Sequence, residues 1–136
     1  KQVPTKEQAI ERLVARFPGN DPKVIANTAR KLSEKVFPVF LTREAALLKL
    51  VQRDAPEAYR DRFPSALHIV KDDRGLVTRL EQNWLRQGGE TMSQMEFARQ
   101  CAEMLVVLHD RVGVIHLDLR LDNMVITPRG VNFVDF

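Results

Sequence analysis

Cysteine is nearly absent from this sequence, with Cys101 alone among 136 residues. One cysteine excludes an internal disulfide or a thiolate metal cluster. Long apolar runs are also missing, since none approaches the roughly 20 residues that a membrane helix needs. The first residues, KQVPTKEQ, have no apolar segment of the kind found in a signal peptide. We therefore expect a cytoplasmic chain in a reducing compartment, with no membrane partner.

The sequence has no cluster of like charge. It carries 21 basic and 18 acidic residues, a net charge of +3, and the two signs are interleaved along the chain. A nucleic-acid-binding surface needs clustered lysine and arginine, so we expect no nucleic-acid partner. Apolar residues make up 44% and charged residues 29%, which is typical of a globular chain and excludes intrinsic disorder.

Local patterns predict four helical segments. Apolar residues recur at helical spacing, and several segments begin with a residue able to cap a helix. The segment at 23–35 also suits a short strand, but its local signals favour a helix. The predicted helices are 5–17 with a Thr5–Gln8 capping box, 23–35 with Asp21 as its N-cap and Pro22 at its first position, 41–52 with Thr42 as its N-cap, and 93–110 with a Ser93–Glu96 capping box. Gly113 can end the last of these with a left-handed residue.

Four short apolar runs predict two β-hairpins. Runs at 66–70 and 76–80 flank an Asp-Arg-Gly turn, and runs at 124–127 and 131–134 flank Pro128-Arg129-Gly130. Glycine and proline at these positions suit tight turns. Helices with short hairpins predict an α+β fold.

Polar side chains that can take part in catalysis or bind a metal are concentrated at 114–136, VIHLDLRLDNMVITPRGVNFVDF. They are His116, Asp118, Arg120, Asn123 and Asp135, all near predicted strand ends or turns. Carboxylate and carboxamide oxygens are ligands suited to Mg²⁺, and arginine can bind phosphoryl oxygens through two nitrogens. A further carboxylate can orient or deprotonate a hydroxyl. Together these groups supply what phosphoryl transfer requires.

The same stretch resembles the catalytic core of the protein-kinase-like superfamily. HLDLRLDN resembles the catalytic loop H-R-D-L-x-x-x-N, and VDF resembles the start of the D-F-G motif. Further back, LTREAALLKL resembles the αC helix, 66–80 the fourth and fifth N-lobe strands, and 81–89 the hinge. The resemblance implies a two-lobed α+β fold: an atypical N-lobe segment at 1–39, N-lobe to hinge at 40–86, and the start of the C-lobe at 87–136.

The resemblance also implies a role for each matching residue. Asp118 would be the base for the acceptor hydroxyl, and Arg120 would contact the γ-phosphate. Asn123 and Asp135 would hold Mg²⁺, bound together with ATP as the phosphate donor. His116 would be structural, packing beneath the loop and bracing the metal-binding segment.

Glu44, in the segment that resembles αC, would pair with the nucleotide-binding lysine. Lys31 lies in an A-x-K pattern and is the lysine we assign to this role, although it falls in a segment predicted to be helical. No G-x-G-x-x-G loop is present. Leu117 replaces the arginine of kinases that are switched by activation-loop phosphorylation, so we expect no such switching.

The sequence ends at Phe136, before the glycine of D-F-G and the later C-lobe helices. We expect an incomplete C-lobe, an apolar face on the 93–110 helix that a missing segment or a partner covers, and no phosphotransfer by these residues alone. The resemblance implies an ATP-dependent kinase with a protein Ser/Thr acceptor. Two alternatives stay open: a small-molecule kinase resembling aminoglycoside or choline phosphotransferases, and a pseudokinase scaffold.

Overall fold

The computed structural model of the chain describes residues 1–83, 85, 88 and 91–136. The fold is α+β, as the sequence predicts. The helices are α1 (Lys6–Arg16), α2 (Pro22–Lys31), α3 (Phe37–Asp54), α4 (Glu57–Arg60) and α5 (Gln94–Val106), with π-helical segments at Leu32–Val36 and Val107–Val112 and a 3₁₀ turn at Leu121–Asn123. The strands are β1 (Ala66–Lys71), β2 (Val77–Gln82), β3 (Met124–Thr127) and β4 (Gly130–Phe133).

The chain divides into two compact units. The N-terminal unit comprises Lys1–Ala45 and His68–Glu81, and the C-terminal unit comprises Ala46–Leu67 and Gln82–Phe136. These boundaries differ from those of the three segments expected at 1–39, 40–86 and 87–136, a division that stays a prediction. The expected hinge at 81–89 includes residues outside the described part of the chain. Among the described residues, no helix combines the length and the apolar character needed to cross a membrane.

Capping residues start the first two helices where the sequence predicts. The Thr5 hydroxyl accepts a hydrogen bond from the Gln8 amide at 3.3 Å, and the Gln8 side chain accepts one from the Thr5 amide at 3.0 Å. The Asp21 carboxylate accepts from the Lys23 amide at 2.7 Å, with Pro22 in the first turn of α2. The helical interpretation of this second segment is therefore confirmed.

The prediction that Thr42 caps a helix is wrong. The π-helical segment that follows α2 keeps the chain helical, so α3 already begins at Phe37 and Thr42 has no free helix end to cap. Its hydroxyl instead donates to the Pro38 carbonyl at 2.7 Å and accepts from the Val77 amide at 2.8 Å. A hydroxyl in the interior of a helix commonly bonds to the carbonyl one turn earlier.

Both predicted hairpins are present, and a third extended segment joins β2. Gly75 takes the positive φ of the β1–β2 turn, where the Asp72 amide donates to the Leu76 carbonyl at 2.9 Å. The first residues of the chain lie along β2: the Val3 amide donates to the Thr78 carbonyl at 3.0 Å, and the Leu80 amide donates to the Lys1 carbonyl at 2.8 Å. The sequence analysis missed this segment.

The C-terminal unit has its own hydrophobic core. Its buried side chains come from the second half of α3, from α5 with the π-helical segment after it, from β4 and from the loops next to these elements. They are Val51, Ala55, Phe63, Met104, Val107, Leu108, Val112, Val114, Val131 and Phe133. The unit therefore brings α5 against the strand that precedes Asp135.

Only half of the predicted Ser93–Glu96 capping box forms. The Ser93 hydroxyl accepts from the Glu96 amide at 3.2 Å. The Glu96 carboxylate is held instead by Arg99 and Gln100, each at 2.7 Å. These hydrogen bonds, that from Arg99 first, lower the pKa of Glu96 to about 2.

A buried polar network fixes β4 against α5. The Gln100 side-chain oxygen accepts from the Val131 amide at 2.9 Å and from Arg62 at 3.1 Å. Arg62 is only 8% exposed, and its side chain also donates to the Val131 carbonyl at 2.9 Å. Burial lowers the pKa of this guanidinium. Gly130 completes the fit, because a Cβ atom there would overlap the Gln100 oxygen.

Replacing Gly130 with alanine should destabilise the fold by about 1–3 kcal/mol, the cost of a strained backbone position, with the overlap on Gln100 in addition. Gly130 has φ +107°, and the Gln100 oxygen is held by two donors and cannot yield freely. Gly75→Ala is the matched control, since φ there is +79° and no described atom lies within 4 Å of its Cβ position. Urea unfolding of both variants measures the loss in the free energy of unfolding. Equal losses in the two variants would show that the overlap with Gln100 contributes nothing.

Candidate active site

The site residues begin where a glycine ends the helical region. Gly113, at φ +75°, closes the π-helical segment in the left-handed conformation that the sequence predicts, and the Val114 amide donates to the Leu108 carbonyl at 2.9 Å. In the loop that follows, Val114 and His116 are buried, whereas Leu117 is 94% exposed. Buried residues thus anchor the loop, and the residues next to them are exposed to solvent.

Asn123 holds the loop in its conformation. It is 4% exposed, at the end of the 3₁₀ turn, and its amide donates to the Arg120 carbonyl at 2.9 Å. Its side-chain nitrogen donates to the Asp118 carbonyl at 2.8 Å and to Asp118 Oδ2 at 3.1 Å. One side chain therefore fixes both the backbone and the carboxylate of Asp118.

His116 connects the loop to the segment after β4. Its Nε2 donates to the Val134 carbonyl at 2.9 Å, which requires the proton to be on that nitrogen because a carbonyl only accepts. Its ring lies edge-on to Phe133, with centroids 6.1 Å apart, and 4.9 Å from the ring of Phe136. The histidine thus contacts residues on both sides of Asp135.

Val134 is held from two directions, and this places Asp135. The Val134 amide donates to the Asn123 carbonyl at 3.0 Å, while its own carbonyl accepts from His116. Asp135 follows directly, exposed and with φ +59°. Aspartate and asparagine tolerate this left-handed conformation better than most residues, and strained backbone of this kind clusters at functional sites.

Arg120 lies beside the carboxylate of Asp118. Its Nε is 3.4 Å from Asp118 Oδ2, the oxygen that also accepts from Asn123. Both partners of this ion pair are exposed, so the pair is worth about 0–1 kcal/mol. Arg120 can therefore leave Asp118 for a phosphoryl group at little cost.

The carboxamide oxygen of Asn123 and the carboxylate of Asp135 are of the chemical type that Mg²⁺ prefers. Mg²⁺ is commonly held by one or two protein oxygens, with phosphate and water oxygens completing its shell. The side-chain nitrogen of Asn123 donates to Asp118, so the carboxamide oxygen of Asn123 is the atom that can bind a metal. The backbone carbonyl of Asn123 accepts from the Val134 amide, and Asp135 is the residue that follows Val134. The described residues contain no group of three or more His, Cys, Asp or Glu able to hold a metal by themselves.

Glu44 pairs with Lys1. Glu44 is buried in α3, and Lys1 Nζ forms an ion pair with its carboxylate. The resemblance had assigned this pairing to Lys31, which the structure places exposed at the end of α2. No local sequence pattern indicates Lys1, because 43 positions separate the partners and the strand pairing that brings Lys1 beside β2 has no local signal.

Comparison with protein-family models, with curated proteins and with solved structures found no match to this chain. Function is therefore inferred from the geometry of the site and from the motifs that its residues form.

Proposed function

We propose that this chain carries the catalytic loop and the metal-binding segment of an ATP-dependent phosphotransferase of the protein-kinase-like superfamily. The observation that supports this most is the set of hydrogen bonds joining Asp118, Asn123, Val134 and His116. It couples the orientation of a candidate base to the position of Asp135. Phosphoryl transfer depends on such positioning more than on covalent chemistry by the protein.

In the proposed reaction, Asp118 accepts the proton of the acceptor hydroxyl. The hydroxyl oxygen attacks the γ-phosphorus, and the bond from that phosphorus to the β–γ bridging oxygen breaks, so ADP leaves with the electron pair. Asn123 keeps Asp118 Oδ2 in place, and Arg120 pairs with the transferring phosphoryl group. Mg²⁺, held by Asn123 and Asp135, supplies charge neutralisation when bound.

We assign the nucleotide-phosphate contact to Lys1 rather than to Lys31. A buried glutamate beside a lysine ammonium restrains the orientation of that side chain, because a buried charge is costly unless it is paired. Glu44 has this relation to Lys1. In this proposal Lys1 and Glu44 form the lysine–glutamate pair that the resemblance implies.

A protein Ser/Thr hydroxyl is the proposed acceptor, on the strength of the Asp-Phe pair that follows β4. The second candidate is a small-molecule hydroxyl, as in aminoglycoside or choline phosphotransferases. Leu117 favours it, because its 94% exposed side chain occupies the position of the arginine used for activation-loop switching. Assays with a Ser/Thr peptide library and with aminoalcohols in parallel separate the two.

ATP with Mg²⁺ should stabilise the protein by about 2.7 kcal/mol at a hundredfold excess over Kd. A thermal-shift titration measures this, with EDTA as the metal control. Lys1→Met should weaken the effect, whereas Lys31→Met, which removes an exposed ammonium from α2, should preserve it. Absence of any thermal shift with ATP and Mg²⁺ would favour the pseudokinase scaffold. Loss of the shift in Lys31→Met but not in Lys1→Met would show that Lys31 is the nucleotide-binding lysine.

A further inference from the structure

The C-terminal unit contains a cavity of about 430 Å³. Arg60 and Asp61 line one part of it, and Pro128 and Arg129 of the β3–β4 turn line another. The residues proposed for phosphoryl transfer are absent from its described lining. This volume falls within the range of about 300–1,000 Å³ that is typical of small-molecule sites.

Hydrogen bonds fix the Arg60 wall of this cavity. The Gln52 side chain donates to the Arg60 carbonyl at 3.1 Å and to the Phe63 carbonyl at 3.2 Å. The Nε of Arg60 donates to the Ala55 carbonyl at 2.9 Å. Among the described residues, the two terminal nitrogens of this cavity-lining arginine have no hydrogen-bond partner, so they remain as donors for a ligand.

The second guanidinium of the cavity lining, that of Arg129, is paired with a carboxylate of the same chain. Arg129 Nη1 forms an ion pair with Asp61 Oδ2, and both side chains are exposed. Such a pair contributes about 0–1 kcal/mol, so an incoming carboxylate can replace Asp61 at little cost. Guanidinium and carboxylate match through two parallel hydrogen bonds. The described lining of the cavity contains two arginines and one aspartate, so its net charge is +1.

Apolar surface lies beside these charges. Leu85 is half-buried and Pro128 is exposed, and both contribute to the cavity lining. A ligand that satisfies both features must join an anion to an apolar group. One excess positive charge matches a monoanion, and a dianionic phosphate would face the displaced Asp61 at close range.

We propose that this cavity binds a small organic carboxylate bearing an apolar group. The carboxylate takes the place of Asp61 on Arg129 and accepts from the terminal nitrogens of Arg60, and the apolar group lies against Leu85 and Pro128. This proposal does not rest on phosphotransferase activity, and its test uses no nucleotide.

The test is a titration of the protein with 3-phenylpropionate, followed by calorimetry and by NMR shifts of the Thr127–Gly130 amides. The neutral 3-phenylpropionamide should bind at least about tenfold more weakly, since a hydrogen bond to a charged group is worth about 1.5–3 kcal/mol. Arg129→Gln and Arg60→Gln should each weaken binding of the carboxylate by about tenfold on the same grounds. Asp61→Asn should tighten it about two- to fivefold, because the competing carboxylate is removed.

Arg74→Gln is the matched control, because Arg74 is an exposed arginine in a similar ion pair with Asp72, in the N-terminal unit. It should leave the affinity unchanged. Equal binding of the neutral amide, weaker binding to Asp61→Asn, or unchanged binding to Arg129→Gln would overturn the proposal. Tighter binding of phenyl phosphate than of phenylpropionate would overturn the assignment to a carboxylate.

Discussion

In a version of the protein extended past Phe136, replacing Asp118 with asparagine should lower phosphoryl transfer by about 100- to 10,000-fold, the contribution expected of a positioned acid–base group. Asparagine keeps the shape of the side chain and an oxygen that can accept from Asn123, but it cannot take the proton of the acceptor hydroxyl. The affinity for Mg-ATP should stay near its original value, since Asp118 is assigned to the hydroxyl and not to the bound phosphates. Steady-state transfer rates and a separate nucleotide titration provide the two measurements.

Asp122→Asn is the control for this substitution. Asp122 is an exposed aspartate in the 3₁₀ turn, four positions along the same loop, and has no role in the proposed reaction. It should leave the transfer rate unchanged. A parallel loss of nucleotide binding and transfer in Asp118→Asn would instead make Asp118 a metal ligand or a residue required for folding.

Elements with strong local signals could be predicted from the sequence. Ser93 starts α5 and Gly113 ends the helical region after it, because capping and left-handed positions depend on a few neighbouring residues. The hairpins follow from their turn residues for the same reason. The order of His116, Asp118 and Asn123 likewise indicated a loop, and the structure joins Asp118 to Asn123 by hydrogen bonds.

Features that depend on distant residues could not be predicted. Lys1 reaches Glu44 only because the first residues of the chain pair with β2. Thr42 carried a capping signal, but continuous helix before it removed the end that it would have capped. The bonds of Gln100 to Arg62 and Val131 connect positions far apart in sequence. For Lys1 and Gln100, tertiary contacts between distant positions supply what no local pattern shows.

The same distinction applies to the segment around Asp135. Its sequence signal is a short Asp-Phe pair, which by itself also suits an ordinary turn. The structure adds that His116 and Asn123 both bond to Val134, and that Asp135 adopts φ +59°. The positive φ is maintained by bonds on the preceding residue, as expected where backbone strain serves a site.

Replacing Asp135 with asparagine should weaken binding of ATP in the presence of Mg²⁺ by at least about tenfold, the lower range for damage to a metal site. The substitution removes a charged oxygen ligand from a hard cation. Asparagine also tolerates the left-handed backbone, so the loss reports on the ligand and not on strain. Isothermal titration with and without Mg²⁺ measures the effect.

ATP binding in EDTA separates a metal ligand from a phosphate contact. Without Mg²⁺, Asp135→Asn should bind ATP as well as the original protein or better, because a negative charge near the triphosphate has been removed. Asp135→Ala adds a backbone cost of about 1 kcal/mol or more, and should therefore lower thermal stability in addition to Mg-ATP affinity. Unchanged Mg-ATP affinity in Asp135→Asn would show that this carboxylate holds no metal, and the proposed role of the segment after β4 would be wrong.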